Sequence, residues 1–286
     1  MLDSALIALA ISRGKCPVIY EIIDLRVNPI SRSIWQRSVS AIDCYVASRA
    51  SAVVVTARGF LSEYYAKRVA GIESKTLVLE PKLPRSFIGI ESRGQPRHPG
   101  RPIKISYIGF VRYRSMIESI VRAVGNRGGE FEFHLYGSGV DDQLSNVMAQ
   151  FANVFNHGPF VAADRRRIYA EVDLSCAIYD NSDPNVRLAI PNKLFESLYY
   201  GVPLAVSADT ELARRVEMYQ NGFVVDPREV DFAEQLLSQI SVDRINLAGE
   251  AALRVLDMEL VMDFDSAARQ LSELLCLPDA EPEERI

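Results

Sequence analysis

Residues 191–207 read Pro191-Asn192-Lys193-Leu194-Phe195-Glu196-Ser197-Leu198-Tyr199-Tyr200-Gly201-Val202-Pro203-Leu204-Ala205-Val206-Ser207. Pro191 suits the first turn of a helix, where its missing N–H has no intrahelical partner to lose. Gly201 is the residue expected just past a helix C-terminus, and Val202 opens an apolar run. The stretch therefore predicts a short helix feeding a buried strand. Lys193 and Glu196 are three apart and share a face near the helix start. Leu194, Phe195 and Leu198 take the buried side. Free N–H groups and the positive end of the helix dipole attract a diphosphate. Lys193 adds a cation, and Glu196, one turn in, can accept hydrogen bonds from sugar hydroxyls such as those of ribose. The alternative is a surface Lys–Glu pair on a capped helix.

The same alternation continues in both directions. Strand-like runs fall at 17–23, 51–56, 75–80, 103–110, 131–137, 153–158, 172–179, 202–207 and 222–226, and helical patterns separate most of them. Near-continuously apolar strands joined by helices predict parallel sheets covered on both faces. The run GIESRGQPRHPGR at 89–101 breaks the rhythm with Gly, Pro and Arg, and reads as an exposed linker. The expected class is α/β with two Rossmann-like domains, the first incomplete and the second a doubly wound parallel sheet of about six strands. Residues 1–90 form the partial first domain, 91–101 the linker and 102–261 the second domain. Residues 262–286 supply a helix returning to the first domain and an acidic tail.

Three strands in the first domain leave edges to be covered. PVIYEII and SAVVVT carry almost none of the lysine or proline that protects an exposed edge, so this domain is expected to meet a second copy or a partner chain. The opening MLDSALIALAISRGKCPV has an acidic residue where a signal peptide needs a basic region. It reads as an amphipathic helix with Leu2, Leu6, Leu9 and Ala10 near one face.

Composition removes several classes. The net charge of -5 gives no electrostatic drive toward nucleic acid. Cys16, Cys44, Cys176 and Cys276 lie far apart with no CxxC pair, and read as reduced thiols. With His98, His134 and His157 the only histidines, a His-rich metal site is not expected; His134 and His157 read as packed strand residues. The loop Ser106-Tyr107-Ile108-Gly109-Phe110-Val111-Arg112 follows a strand without a G-x-G-x-x-G, which argues against a nicotinamide site. Gly109 allows close backbone approach and Arg112 can pair with phosphate oxygens, or the loop is a plain tight turn. Gly137 and Gly139 close the next strand, and Asp209 reads as the N-cap of a helix.

The segment PNKLFESLYYGVPLAVS resembles the signature of GT-B glycosyltransferases, close to the large retaining group that includes many polysaccharide-assembly enzymes. The resemblance spans about residues 3–275, and its specific part is 101–226. It implies that Glu196 binds the donor ribose, that Lys193 contacts the diphosphate, and that the Gly109 loop lies against the phosphates with Arg112. Gly137, Thr210 and Glu211 match positions that line the donor in the family. Tyr20-Glu21-Ile22-Ile23-Asp24 resembles an interdomain segment that often ends His-Asp; Ile23 replaces the histidine and Asp24 remains. Catalytic roles are thereby implied for Asp24, Arg112 and Lys193. Many relatives carry a further glutamate eight positions before Glu196, in contact with the donor sugar; here that position is Leu188.

The implied function is transfer of a sugar from a nucleoside-diphosphate sugar to a saccharide or lipid-linked acceptor in cell-surface polysaccharide assembly. No metal or cofactor is expected. The alternatives are a non-catalytic or split nucleotide-sugar-binding subunit and a sugar-nucleotide epimerase. By comparison with the family the chain starts roughly one hundred residues late, which implies a fragment, a degenerate copy or a half completed by a second polypeptide. The expected location is the cytoplasm, with peripheral association at the inner face of a membrane left open.

Overall fold

The computed structural model describes residues 2–12, 14–25, 33–85, 87, 93–94 and 102–275. The expected acidic tail and most of the expected linker lie outside them. The chain divides into two units: Met1–Pro81 with Leu188–Ile190 and Met262–Ile286, and Lys82–Arg187 with Pro191–Val261.

The first unit is built on three parallel strands, β1 (Ile19–Ile22), β2 (Ala52–Val55) and β3 (Thr76–Val78), in the order β1-β2-β3. All four residues of β2 are buried, whereas β1 alternates exposed Ile19 and Glu21 with buried Tyr20 and Ile22. SAVVVT is therefore the central strand, not an edge: its continuous valines pack on both faces, while β1 shows the period-2 pattern of a half-covered strand. Helix α1 (Leu2–Ser12) precedes β1, and helix α2 (Ile34–Arg49) lies between β1 and β2. The last helix among the described residues, Phe264–Leu274, packs Ala267, Leu271 and Leu274 against Val54, Leu77 and Leu79.

The amphipathic reading of α1 is corrected. Ala5 is buried, but Ile7 and Ile11 stand exposed, so apolar residues surround the helix instead of segregating to one side. The sequence LDSALIALAIS has too few polar residues to define a second face.

The interior of this unit holds a carboxylate. Asp43 on α2 is buried and accepts hydrogen bonds from Tyr20 Oη at 2.7 Å and Tyr65 Oη at 2.8 Å. Tyr65 ends a π-helical segment, Phe60–Tyr65, and meets the Tyr64 ring edge-on at 4.8 Å. A buried carboxylate needs such partners to offset lost hydration. Asp43 thus ties β1, α2 and the segment after β2 together.

The second unit is a six-stranded parallel sheet. Its strands are β4 (Ile103–Ile108), β5 (Phe131–Tyr136), β6 (Val154–Gly158), β7 (Leu174–Ala177), β8 (Leu204–Ser207) and β9 (Gly222–Val225), in the order β9-β8-β7-β4-β5-β6. Helix α3 (Arg114–Gly125) shows how sequence gives placement: Ile117, Ile120, Val121 and Val124 recur at helical spacing, and all four are buried in the core with Phe131, Phe133 and Leu135. Arg93 and Gly94, read from composition as exposed linker, are tied down in this unit. Arg93 donates to Val255 O at 2.7 Å and Asp257 Oδ1 at 2.9 Å, and Gly94 N to Tyr199 O at 3.1 Å. Bonds to a main-chain carbonyl and a carboxylate override what Gly/Pro/Arg content suggests.

The chain builds β4, β5 and β6 outward, then returns to lay β7 on the other side of β4. That reversal opens a crevice beyond the carboxyl ends of β4 and β7, where doubly wound sheets bind ligands.

Replacing Tyr65 by Phe keeps the ring and leaves Asp43 Oδ2 without that donor. The expected loss is about 1–3 kcal/mol, the scale of a buried unsatisfied acceptor. It is read as reduced hydrogen-exchange protection of the Ala52–Val55 amides, with the second unit unchanged.

Candidate functional site

The crevice is floored by two glycine loops. Gly109 follows β4 at φ 133° and Gly137 follows β5 at φ 155°. A Cβ on Gly137 would stand 1.8 Å from Gly109 O, so only glycine lets these backbones meet. Gly109 N donates to Tyr136 O at 2.8 Å, and Gly137 N to Gly158 O at 2.7 Å, which stitches the three loops into one ledge.

Helices α4 (Asp142–Met148), α5 (Arg165–Glu171) and α6 (Pro184–Leu188) follow α3, and Lys193 reaches this ledge from α7, Lys193–Tyr200. A Cβ on Gly109 would lie 3.9 Å from its Nζ. Lys193 is only 7% exposed. Its Nζ lies 4.0 Å from the centroid of Tyr107, 3.0 Å from Tyr179 Oη and 3.4 Å from Cys176 O. Tyr107 belongs to β4, and Cys176 and Tyr179 to the end of β7, so the ammonium sits at the strand reversal. Among the described residues no carboxylate lies within ion-pair distance of it. Burial lowers its pKa, opposed by the electrostatic influence of Tyr107, Cys176 and Glu196. The Cys176 thiol is pushed up to about 12 by burial, and Lys193 pulls against that shift.

The surface Lys–Glu pair does not form; both side chains are buried. Glu196 instead meets Arg165 Nε at 3.1 Å through Oε1, and accepts from Tyr169 Oη at 2.9 Å through Oε2. The helix itself begins at Lys193 after Asn192, and Pro191 contributes its carbonyl to Leu194 N at 3.1 Å. Gly201 takes the left-handed cap at φ 66°.

Arg112 is exposed on the loop after β4, close enough for its charge to oppose the burial that raises the Tyr179 phenol. The N-cap reading of Asp209 is corrected. Thr210 caps helix Glu211–Tyr219, accepting from Ala213 N at 2.9 Å and donating to Ser207 O at 2.8 Å. Asp209 is left-handed at φ 58° and pairs with Arg228 at 2.6 Å. The chain turns one residue later than expected, because threonine's hydroxyl can serve the loop and the helix together. Glu211 pairs with Arg214 and Arg215 on its own helix. Asp24 is exposed in the bend after β1, in the first unit. Leu188 ends a short helix, Pro184–Leu188, where an added Cβ on Gly59 would stand 2.7 Å from its carbonyl oxygen.

The structure thus brings Gly109, Gly137 and Lys193 together, with Glu196 one turn along the same helix. Sequence reading missed Tyr107, Tyr179, Arg165 and Tyr169. The tyrosines at 107 and 179 stand at or near strand ends, which was a readable signal. So was Arg165-Arg166-Arg167 in the first turn of a helix, where the dipole disfavours cations.

His134 and His157 form a stacked group apart from this ledge. His134 Nδ1 and His157 Nε2 are 3.0 Å apart, Glu132 meets the other His134 nitrogen at 3.1 Å, and the His157 ring stacks on Tyr136 at 4.2 Å. Burial lowers both imidazole pKa values; Glu132 opposes the shift at His134. Among the described residues no group of three or more His, Cys, Asp or Glu side chains could hold a metal ion. None of the helices described is long and apolar enough to cross a membrane.

Residues 104–241 match the sequence profile described as glycosyl transferases group 1. The chain is 25% identical over 291 residues to the succinoglycan biosynthesis protein ExoL of Rhizobium meliloti, covering 96% of this chain and 71% of that protein. It superposes on Anabaena HepE, solved with UDP-glucose, with a TM-score of 0.68 at 13% identity, covering 96% of this chain and 77% of that one. Sucrose-phosphate synthase of Thermosynechococcus elongatus gives 0.65 at 15% identity, covering 96% and 71%. At such identities the superpositions speak to the fold alone. Residues 104–241 are thus similar in sequence to the group 1 glycosyl transferases, and the fold is that of the GT-B enzymes.

Gly137→Ala should destabilise the second unit by about 2 kcal/mol or more, because backbone, not a movable side chain, fills the space. A lowered thermal midpoint checks this, with Gly128→Ala, where a Cβ meets nothing, as the control. A second expectation concerns pH. Histidines held neutral by folding give stability that is complete above the unfolded pKa near 6.5 and declines as pH falls through it. Urea midpoints should therefore drop between pH 7.5 and 5, and His157→Gln should flatten the drop.

Proposed function

We propose that the chain transfers a sugar from a nucleoside-diphosphate sugar to a saccharide or lipid-linked acceptor in cell-surface polysaccharide assembly. The observation that carries the reading is the Lys193 ammonium, buried at the strand reversal over Gly109 with no carboxylate at ion-pair distance among the described residues. A diphosphate supplies the missing anion. The naming of ExoL for succinoglycan biosynthesis and the solution of HepE with UDP-glucose support the donor class and the setting.

In this reading the phosphates lie on the Gly109–Gly137 ledge, against Lys193 and the start of α7. Arg112, exposed beside the ledge, pairs with phosphate oxygens. Glu196 accepts hydrogen bonds from the ribose hydroxyls. As the bond from the sugar to the diphosphate breaks, negative charge grows on the leaving oxygen. Lys193, Arg112 and backbone N–H groups stabilise that charge more than they stabilise the bound donor. Thr210 and Glu211 have side chains engaged at the next helix start, so their contribution is through the main chain of that turn. Asp24 is the candidate catalytic carboxylate of the first unit.

Leu188 favours a second reading, donor binding without transfer, because an apolar side chain cannot hydrogen-bond the donor sugar as the family's glutamate does. The two separate when purified chain is incubated with donor and extracted acceptor. Sugar transfer supports the first; nucleotide binding with no transfer supports the second. In calorimetric titrations with UDP and GDP, Lys193→Ala and Glu196→Ala should each weaken binding by about 1–3 kcal/mol. Unchanged affinity in both variants removes α7 from the donor site.

A further inference from the structure

Glu196 occupies an unusual setting for a ligand-binding carboxylate. It is 6% exposed, and each of its oxygens is already held by a side chain from helix α5 (Arg165–Glu171). Tyr169 is fully buried, with its ring stacked on Tyr200 at a centroid distance of 4.7 Å. Its hydroxyl therefore approaches Oε2 from a fixed position. Arg165 approaches Oε1 from the solvent side, with 30% of its side chain exposed. Tyr200 closes the helix whose first turn holds Glu196, so α5 grips α7 at two separate points.

Arg165 also stands where local energetics disfavour it. It opens a helix, where the positive dipole end repels a guanidinium, and two more arginines follow. Arg167 has local partners, Glu171 at 3.3 Å and Asp164 at 3.8 Å. Arg165 reaches across to another helix instead, and its partner is a buried charge that cannot be left uncompensated.

Resting on the donor reading above, we infer that Arg165 and Tyr169 are positioning residues for Glu196: together they fix the plane of its carboxylate so that both oxygens face the vicinal hydroxyls of the donor ribose. Two hydroxyls can be bound at once only if the carboxylate does not rotate. A bond from Tyr169 on one oxygen and Arg165 on the other removes that rotation. Arg165 also sets an opposite charge 3.1 Å from the buried carboxylate.

The test uses the full chain, with UDP and 2′,3′-dideoxyuridine diphosphate as probes in calorimetric titrations; GDP and its dideoxy counterpart replace them if the chain prefers guanosine. Arg165→Ala should weaken UDP binding about 10-fold, the scale of one charge-assisted hydrogen bond. It should leave the dideoxy nucleotide within about 2-fold of wild type, because that ligand has no hydroxyls for Glu196 to meet. Arg165→Lys should recover most of the loss. Tyr169→Phe, which keeps the buried ring, should show the same selectivity for the hydroxylated ligand. UDP binding unchanged or tightened in Arg165→Ala overturns the inference, as does an equal loss for both nucleotides. A wild-type chain that binds neither nucleotide overturns the donor reading and this inference with it. Wild-type binding that depends on Lys193 but not on Arg165 or Tyr169 overturns this inference alone.

Discussion

The ammonium of Lys193 is buried where the sheet order reverses, and it has an aromatic ring and neutral oxygens around it but no anion in contact among the described residues. Removing such a group from water costs several kcal/mol. A desolvated cation–π contact returns about 2 kcal/mol or more, and the tyrosine hydroxyl and the carbonyl add modest hydrogen bonds, but none of these brings a negative charge. The balance leaves a pocket short of negative charge. Its surroundings follow from that shortage. Glycines keep the floor bare, the helix start adds a positive field, and the tyrosines at 107 and 179 form walls that solvate a cation without neutralising it.

Two different solutions to buried charge therefore coexist on one helix. Lys193 is left wanting a counter-ion, whereas Glu196, one turn away, is paired with Arg165 and hydrogen-bonded by Tyr169. The first unit contains a third solution: Asp43, held by the hydroxyls of Tyr20 and Tyr65 with no cation needed. The contrast separates roles. Asp43 knits backbone segments together, Glu196 joins two helices through an ion pair and a tyrosine hydroxyl, and Lys193 has only rings and neutral oxygens in contact among the described residues.

Much of this was legible in the residues. Apolar runs separated by helical periods placed all six strands of the second unit and the three of the first, most clearly where a strand such as β2, β7 or β8 is buried throughout. Pro191 and Gly201 bracketed α7 because proline's fixed φ and missing N–H and glycine's freedom at positive φ act locally. Gly109 and Gly137 were readable as loop glycines, but their mutual contact was not, since it depends on two strands meeting side by side. The Arg165–Glu196 pair joins residues thirty-one apart on separate helices, and no local pattern encodes it. Asp209 was misassigned for a related reason. Both Asp209 and Thr210 are good caps, and the choice between them rests on where the preceding strand releases the chain. At α1 the apolar letters were read as a face, although a helix with so few polar residues has no face to define.

The contact between Gly137 and Gly109 has a consequence for how this chain can vary through descent. A Cβ on Gly137 collides with main chain, so no neighbouring side chain can shrink to accommodate it. A compensating second mutation is not available, and the position is a dead end for gradual change. Variants that alter this crevice must leave the ledge untouched and rewrite its rim, at sites such as Phe110 and Ser138, where side chains are exposed. The rigid part of the site is its backbone, and what can change without a main-chain clash is the decoration around it.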